Sequence, residues 1–200
     1  MSKILVIDTS SKNLYLMLLD GIETTKIVLT DSQNQHSVLL NKAIDDLMAK
    51  TNTTIDQIDV FAVAIGVGSF TGIRVGVSVA KGLSFATNSK FIQVNTLQTL
   101  AYTKQGCINC LMDAGKGFYY AVYDGLNELT SPTLISTEEA LSIQQLDNTV
   151  VFDSQQDYSD AIEKQVRAKF DQKMFSDALI PLYVRRCQAE EEREAKCKSN

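Results

Sequence analysis

The stretch AVAIGVGSFTGIRVGVSVAKGLSFA, residues 62–86, decides the fold, and its two halves read differently. Residues 60–65 form an uninterrupted apolar run of strand length, the pattern of a strand buried on both faces. It leads directly into the loop Gly66-Val-Gly-Ser-Phe-Thr-Gly72. From Gly72 onward two periods compete. Ile73, Val75, Val77 and Val79 alternate with mostly small residues, which is the period of a strand. Gly72, Gly76, Ala80 and Ser84 recur at every fourth position, which on a helix makes a smooth ridge flanked by Val75, Val79 and Leu83. A strand face of glycines has nothing to pack, so strand, glycine loop and helix is the coherent reading. The ridge is expected to form a groove that admits another helix closely.

Outward from this unit the chain continues as a mixed α/β pattern. Upstream, residues 3–10, 14–19 and 23–29 read as three strands, with Asp20-Gly21 as a hairpin turn between the second and third. Leu39, Leu40, Ala43, Ile44 and Leu47 mark one face of a helix over 37–50, and Thr54-Ile-Asp-Gln57 reads as a capping box on a short turn. Downstream, 91–94 is a strand and 96–102 begins a helix. A second half opens with strands at 107–112 and 118–123, joined by a hairpin through Asp113-Ala-Gly-Lys-Gly117. Ser136-Thr-Glu-Glu139 caps a helix over 140–146. A short strand at 150–152, a helix at 158–170, an extended piece at 179–184 and a charged tail at 189–198 complete the reading. The order predicts two lobes, 1–102 and a shorter one over 103–200 that repeats the plan in reduced form.

Composition excludes several functions. The 200 residues carry a net charge of −5, so there is no global field for nucleic acid. One histidine excludes any mechanism that needs two. The opening Met1-Ser2-Lys3 followed by four apolar residues is neither a signal nor a transit peptide. The longest apolar runs are far short of a membrane span, and a cytoplasmic protein is expected. Four cysteines without a secretory signal read as reduced thiols. Cys107 and Cys110 lie in a strand, where positions i and i+3 point to opposite faces, and Cys187 and Cys197 supply no second ligand pair.

The candidate chemistry is local. A glycine loop that feeds a helix N-terminus exposes backbone N–H groups to an anion. Asp8, Ser10, Gly66, Gly68, Ser69 and Thr71 are therefore the candidate phosphate-loop residues. The loop matches neither the P-loop nor GxGxxG, and Ser69 or Thr71 acting as a helix cap accounts for it equally. His36 at a helix start reads as a lone base or as a polar cap. Asp113 and Lys116 fit a turn, and Arg185-Arg186 either touch phosphate or end a strand in solvent. No glycine follows Gly125, so the second half lacks the close-approach loops that a two-lobed kinase needs.

These features, in this order, resemble a known family. ILVIDTS at 4–10, the His36-Ser37 helix start, the 62–86 stretch and VNTLQTLAY at 94–102 are similar to the TsaB (YeaZ) family of tRNA threonylcarbamoyladenosine-biosynthesis proteins. Met112-Asp113-Ala114 with Gly117-Phe-Tyr-Tyr120, and Pro181-Leu-Tyr-Val-Arg185, resemble its second-lobe motifs. Val67 stands where the family has Pro, and Gly115 where it has Arg. The resemblance implies the acetate- and sugar-kinase/actin superfamily (ribonuclease H-like) fold, with mixed sheets and a reduced second lobe. It implies a non-catalytic partner of a TsaD-type catalytic subunit that works with a TsaE-type ATPase. Together they place a threonylcarbamoyl group on the adenosine beside the anticodon of tRNAs reading codons that begin with A.

The resemblance implies further that the chain holds no cofactor or metal of its own, ATP and metal belonging to the partner subunits. Thr96 and Leu100 stand where the catalytic relative has its two metal-binding histidines. It also implies that helices at 36–49 and 71–87 form the partner contact, through His36, Leu39, Leu40, Ala43, Phe70, Gly72, Arg74, Val75, Gly76, Val79, Ala80 and Leu83. The same contact would make a homodimer when the chain is alone, and tRNA would be met only through the complex. The competing reading is a small actin-like phosphotransferase, or a nucleotide-binding homodimer, using Asp8, Ser10 and the 66–72 loop.

Overall fold

A computed structural model describes residues 2–32 and 34–184. The expected elements at 185–198, together with Cys187, Cys197, Arg185 and Arg186, lie outside the described residues. Strands β1 (Lys3–Asp8), β2 (Leu14–Asp20) and β3 (Glu23–Leu29) are followed by helix α1 (His36–Thr51), β4 (Val60–Gly66), α2 (Phe70–Thr87), β5 (Lys90–Asn95) and α3 (Thr96–Ala101). The second half contains β6 (Ile108–Asp113), β7 (Phe118–Asp124), β8 (Asn127–Ile135), α4 (Thr137–Gln144), β9 (Thr149–Val151) and α5 (Ser159–Asp171). A capped 3-10 turn at Ile55–Gln57 precedes β4, with the Gln57 side chain accepting from the Thr54 N–H.

The two sheets have the orders β3-β2-β1-β4-β5 and β8-β7-β6-β9. Each begins as an antiparallel meander whose first strand then takes a parallel neighbour, β4 beside β1 and β9 beside β6. The second lobe therefore repeats the full strand-strand-strand-helix-strand-helix plan with shorter parts. The competition of periods at 72–86 resolves to a helix of 18 residues. Ser69 caps it, its hydroxyl accepting from the Gly72 N–H at 3.2 Å.

One expectation is corrected. Strand β8 does not appear in the sequence reading, because NELTSPTLI is an edge strand with little buried surface. It carries no apolar alternation, and Pro132 is tolerated only because one side of the strand is unpaired. The extended piece expected at 179–184 joins no strand ladder and is tied to the first sheet by the Leu182 N–H donating to the Ile65 carbonyl at 2.8 Å.

Both faces of the first sheet are covered. Leu5, Ile7, Leu14 and Leu16 meet Leu40, Ile44 and Leu47 of α1 and Ile73, Val77 and Ala80 of α2. On the other face Ile4, Val6, Met17 and Val94 meet Leu97 and Leu100 of α3 and Ile162 and Val166 of α5. That core continues into Ile108, Cys110 and Ala121 of the second sheet. The division at 102/103 falls between the sheets, and α5 crosses back over it. Thr24 donates to Glu163 at 2.6 Å, and the Arg167 guanidinium donates to the Gly21 carbonyl at 2.6 Å. A buried polar layer lies at the same junction. Gln165 accepts from Thr99 at 2.8 Å and donates to Gln98 at 2.8 Å, while Asn95 donates to the Tyr123 hydroxyl at 2.9 Å.

Candidate functional site

The C-terminal ends of β1, β4, β6 and β9 open onto a cleft of about 570 Å³ between the lobes. Strand ends of this kind are where α/β sheets place ligands. Ser10, Ser11 and Lys12 follow β1, Gly68 and Ser69 follow β4, Asp113 ends β6, and Phe152, Asp153 and Ser154 follow β9. The repeated plan shows here at atomic level. Asp8 at the end of β1 accepts from the Ser10 N–H at 2.8 Å, and Asp113 at the end of β6 accepts from the Gly115 N–H at 2.7 Å. Each is an aspartate turn at the same place in its lobe. Asp8 is enclosed and its carboxyl is pushed up by burial, which the Ser10 hydrogen bonds oppose.

The candidate phosphate-loop residues divide into two groups. Ser10, Gly68 and Ser69 reach the cleft, joined by the Ser69 N–H donating to the Ser10 carbonyl at 2.7 Å. Gly68, at φ +148°, leaves no room for a side chain, since a Cβ would lie 2.2 Å from that carbonyl. Asp8 lies beneath the surface, Gly66 is covered by the Leu182 backbone, and Thr71 is exposed and does not line the cleft. Among the described residues that line it Lys12 is the one cation, against the carboxylates of Asp113 and Asp153. That balance opposes a polyphosphate. Thr96 donates to the Ser10 hydroxyl at 3.1 Å, and Leu100 is core.

His36 is neither a base at the cleft nor a contact residue. It is buried with Nε2 3.1 Å from the Ser32 hydroxyl, and Ser32 donates through its N–H to the Lys12 carbonyl at 2.8 Å. The pair ties the start of α1 to the loop after β1. Burial lowers the imidazole's pKa, and its Nδ1 has no hydrogen-bond partner among the described residues.

The small-residue ridge is turned the other way from the expectation. Gly72, Gly76, Ala80 and Ser84 are buried inside this chain. A Cβ on Gly72 would lie 2.0 Å from the Thr9 carbonyl, and one on Gly76 would lie 2.6 Å from Thr9 Oγ1. The groove is filled by the end of β1, and the Thr9 hydroxyl donates to the Gly72 carbonyl at 2.7 Å. Leu40 and Ala43 are likewise core. So of the expected contact residues His36, Leu40, Ala43, Gly72, Gly76 and Ala80 are unavailable to a partner, while Leu39, Phe70, Arg74, Val75, Val79 and Leu83 keep exposed surface. On α2, Val75 and Val79 border Gly82, where a Cβ would meet nothing within 4 Å. Val38 of α1 and Phe85 of α2 are exposed.

At the start of α2 Phe70 and Arg74, expected as contact residues, are joined by Tyr183, which the sequence reading did not single out as one. The Arg74 guanidinium lies 3.7 Å above the Phe70 ring, its Nε donates to the Tyr183 hydroxyl at 3.2 Å, and the Phe70 and Tyr183 rings are 5.3 Å apart. Lys12 and 152–154 were missed as well, and the strand-end rule finds them only once sheet order is known. Cys107 lies just before β6, outside the strand expected to hold it, and is exposed, while Cys110 within β6 is buried, which pushes its thiol up to about 12. Among the described residues no cluster of three or more His, Cys, Asp or Glu could hold a metal ion.

The family model for TsaD, tRNA N6-adenosine threonylcarbamoyltransferase, matches residues 23–190. The tRNA threonylcarbamoyladenosine biosynthesis protein TsaB of Bacillus subtilis is 33% identical over 126 residues, 62% of this chain and 54% of that protein. The TsaB of Escherichia coli is 31% identical over 128 residues, 60% of this chain and 54% of that protein. The chain thus spans about half the length of the curated relatives it matches. YeaZ from Pseudomonas aeruginosa superposes with a TM-score of 0.78 at 19% identity, covering 92% of this chain and 100% of that one, which shows the two-lobed fold.

Proposed function

Because this chain belongs to the TsaD family, and within it to the TsaB/YeaZ type, we propose that it is the non-catalytic partner of a TsaD-type subunit in forming threonylcarbamoyladenosine on tRNA. The observation that carries this reading is the outer side of the α1–α2 pair. Leu39, Val75, Val79 and Leu83 keep part of their apolar surface in solvent around the open position at Gly82, with Val38 beside them. A surface helix ordinarily turns charges outward, so this apolar side calls for a covering partner. A subunit built on the same plan presents a matching helix pair, and a second copy of this chain competes for the same side.

In this reading ATP and metal sit on the TsaD-type and TsaE-type subunits, and this chain acts by fixing its partner's conformation in the cytoplasm. Among the described residues no helix is long and apolar enough to cross a membrane. The competing reading, a nucleotide-binding phosphotransferase, draws on the cleft's volume. The charge balance of Lys12 against Asp113 and Asp153 speaks against it.

The test reconstitutes tRNA modification from the three purified components. Gly82→Leu is expected to lose both assembly and modification without any lowering of its unfolding temperature, and Asp8→Asn is expected to retain both. ATP turnover by this chain alone that disappears in Asp8→Asn would replace the scaffold reading with the phosphotransferase. Full modification by a Gly82→Leu protein would move the contact elsewhere.

A further inference from the structure

The Arg74 arrangement lies outside the cleft, and although Phe70 and Arg74 are among the expected contact residues, the apolar side formed by Leu39, Val75, Val79 and Leu83 does not include them. On α2 it lies on a different flank, since Arg74, Lys81 and Phe70 stand about 100–140° around from Val75 on one side, with Phe85 about 80° around on the same side. Phe70 and Tyr183 are 40% and 46% exposed, and Phe85 is 93% exposed. The segment after α5 runs antiparallel to α2, from the Phe91–Ser176 bridge to Leu182 beside Ile65. It thereby sets Tyr183 next to Arg74. Arg74 is held in place twice, by the Phe70 ring and by the Tyr183 hydroxyl. Among the described residues Nε is the one guanidinium nitrogen of Arg74 that donates a hydrogen bond.

We infer that this flank of α2, with Tyr183, is a stacking platform for single-stranded RNA. Three features select that occupant over a protein. The 18 residues of α2 include two cations and no acid, in a chain whose acids outnumber its lysines and arginines by 24 to 19. Phe70, Arg74 and Tyr183 form one cluster at the start of α2 and Phe85 stands fifteen helical residues, about 22 Å, further along, so the exposed rings are divided between two places rather than gathered into one apolar patch. The cations lie between the rings, as phosphates lie between bases. The inference rests on the tRNA reading above and deepens it: the platform would hold unpaired nucleotides near the modified base while the partner does the chemistry.

The test titrates a fluorescent single-stranded oligoadenylate, and an RNA duplex of equal length, into the full chain at low salt. The single strand is expected to bind more tightly than the duplex. Each of Arg74→Gln, Tyr183→Leu and Phe85→Ser should weaken it about tenfold, the scale of one lost base stack. Tyr183→Phe, which keeps the ring, should bind nearly as wild type. With Arg74 and Lys81 as the two phosphate contacts, the log–log salt slope should be about −1.4. Thermal unfolding of every variant, and capture by the TsaD-type subunit, are measured in parallel. No binding by a folded chain overturns the platform, and so does equal binding by all variants. A loss of subunit capture in these variants with RNA binding unchanged makes the flank a protein contact and overturns it too. Failure of the tRNA reading itself would show separately, as no capture by wild type.

Discussion

Helix α2 carries two glycines whose substitution should move stability in opposite directions. At Gly76 an alanine Cβ would come 2.6 Å from Thr9 Oγ1 and 3.4 Å from an Ile7 methyl. The hydroxyl has to move, and with it goes its 2.7 Å bond to the Gly72 carbonyl. That bond contributes about 1 kcal/mol, and overpacking a tight core adds about 1–3 kcal/mol. Alanine's better helix propensity returns roughly 0.5–1 kcal/mol, leaving a net loss of about 1–3 kcal/mol. At Gly82 nothing lies within 4 Å, so the propensity gain of roughly 0.5–1 kcal/mol stands alone. For a chain of this length 1 kcal/mol moves the midpoint by about 2–4 °C. Gly76→Ala should therefore lower Tm by about 2–12 °C and Gly82→Ala raise it by about 1–4 °C, read by circular dichroism and checked by urea titration. If Gly76→Ala proves as stabilising as Gly82→Ala, the ridge is not filled by Thr9, and the inward packing of α2 is wrong.

Further outcomes follow from buried groups. Iodoacetamide at mildly alkaline pH should label Cys107 in the native chain and leave Cys110 untouched, since burial raises its thiol to about 12; peptide mass mapping decides, and native labelling of Cys110 would refute its burial. Burial raises the Asp8 carboxyl, so the native state favours its protonated form, and stability from this group is present below the unfolded value of 3.8 and lost as pH rises through the native one. Asp8→Asn should then raise Tm at neutral pH and gain less in acid; a lower Tm at neutral pH would mean the charge is compensated. Lys169 donates to the Gln93 carbonyl at 2.8 Å, and burial lowers its pKa from 10.5 to about 8. The unfolded chain then binds more protons between those values, so stability rises with pH through that window, by about 3 kcal/mol at most. In Lys169→Met that rise should vanish, and a rise of equal size would assign it to another group.

The fold was legible wherever burial on both faces or a helical face writes itself into a run of residues. Residues 60–65 and the α1 face are of this kind, and the Ser136–Glu139 capping box is met in full, with hydroxyl and carboxylate each accepting from the other's backbone N–H. Strand β8 was illegible because an edge strand buries too little to impose a period. At the site, Asp8, Ser10 and the glycine loop were visible as turn chemistry, whereas Lys12 and 152–154 become neighbours only through the parallel pairing of β4 and β9 with the first strands of their sheets.

The direction of the small-residue ridge marks where sequence pattern stops. Spacing of four places Gly72, Gly76 and Ala80 on one side of α2, but small residues permit close approach equally from a partner helix or from the chain's own strand. What settles it is Thr9, sixty-three residues upstream of Gly72 and bonded to its carbonyl. Once that strand end fills the ridge, the outward side is left to Val75, Val79 and Gly82. It follows that a bulky residue at Gly76 reports on folding and one at Gly82 reports on assembly. A loss of tRNA modification counts in favour of the scaffold reading only when it comes from the second of these.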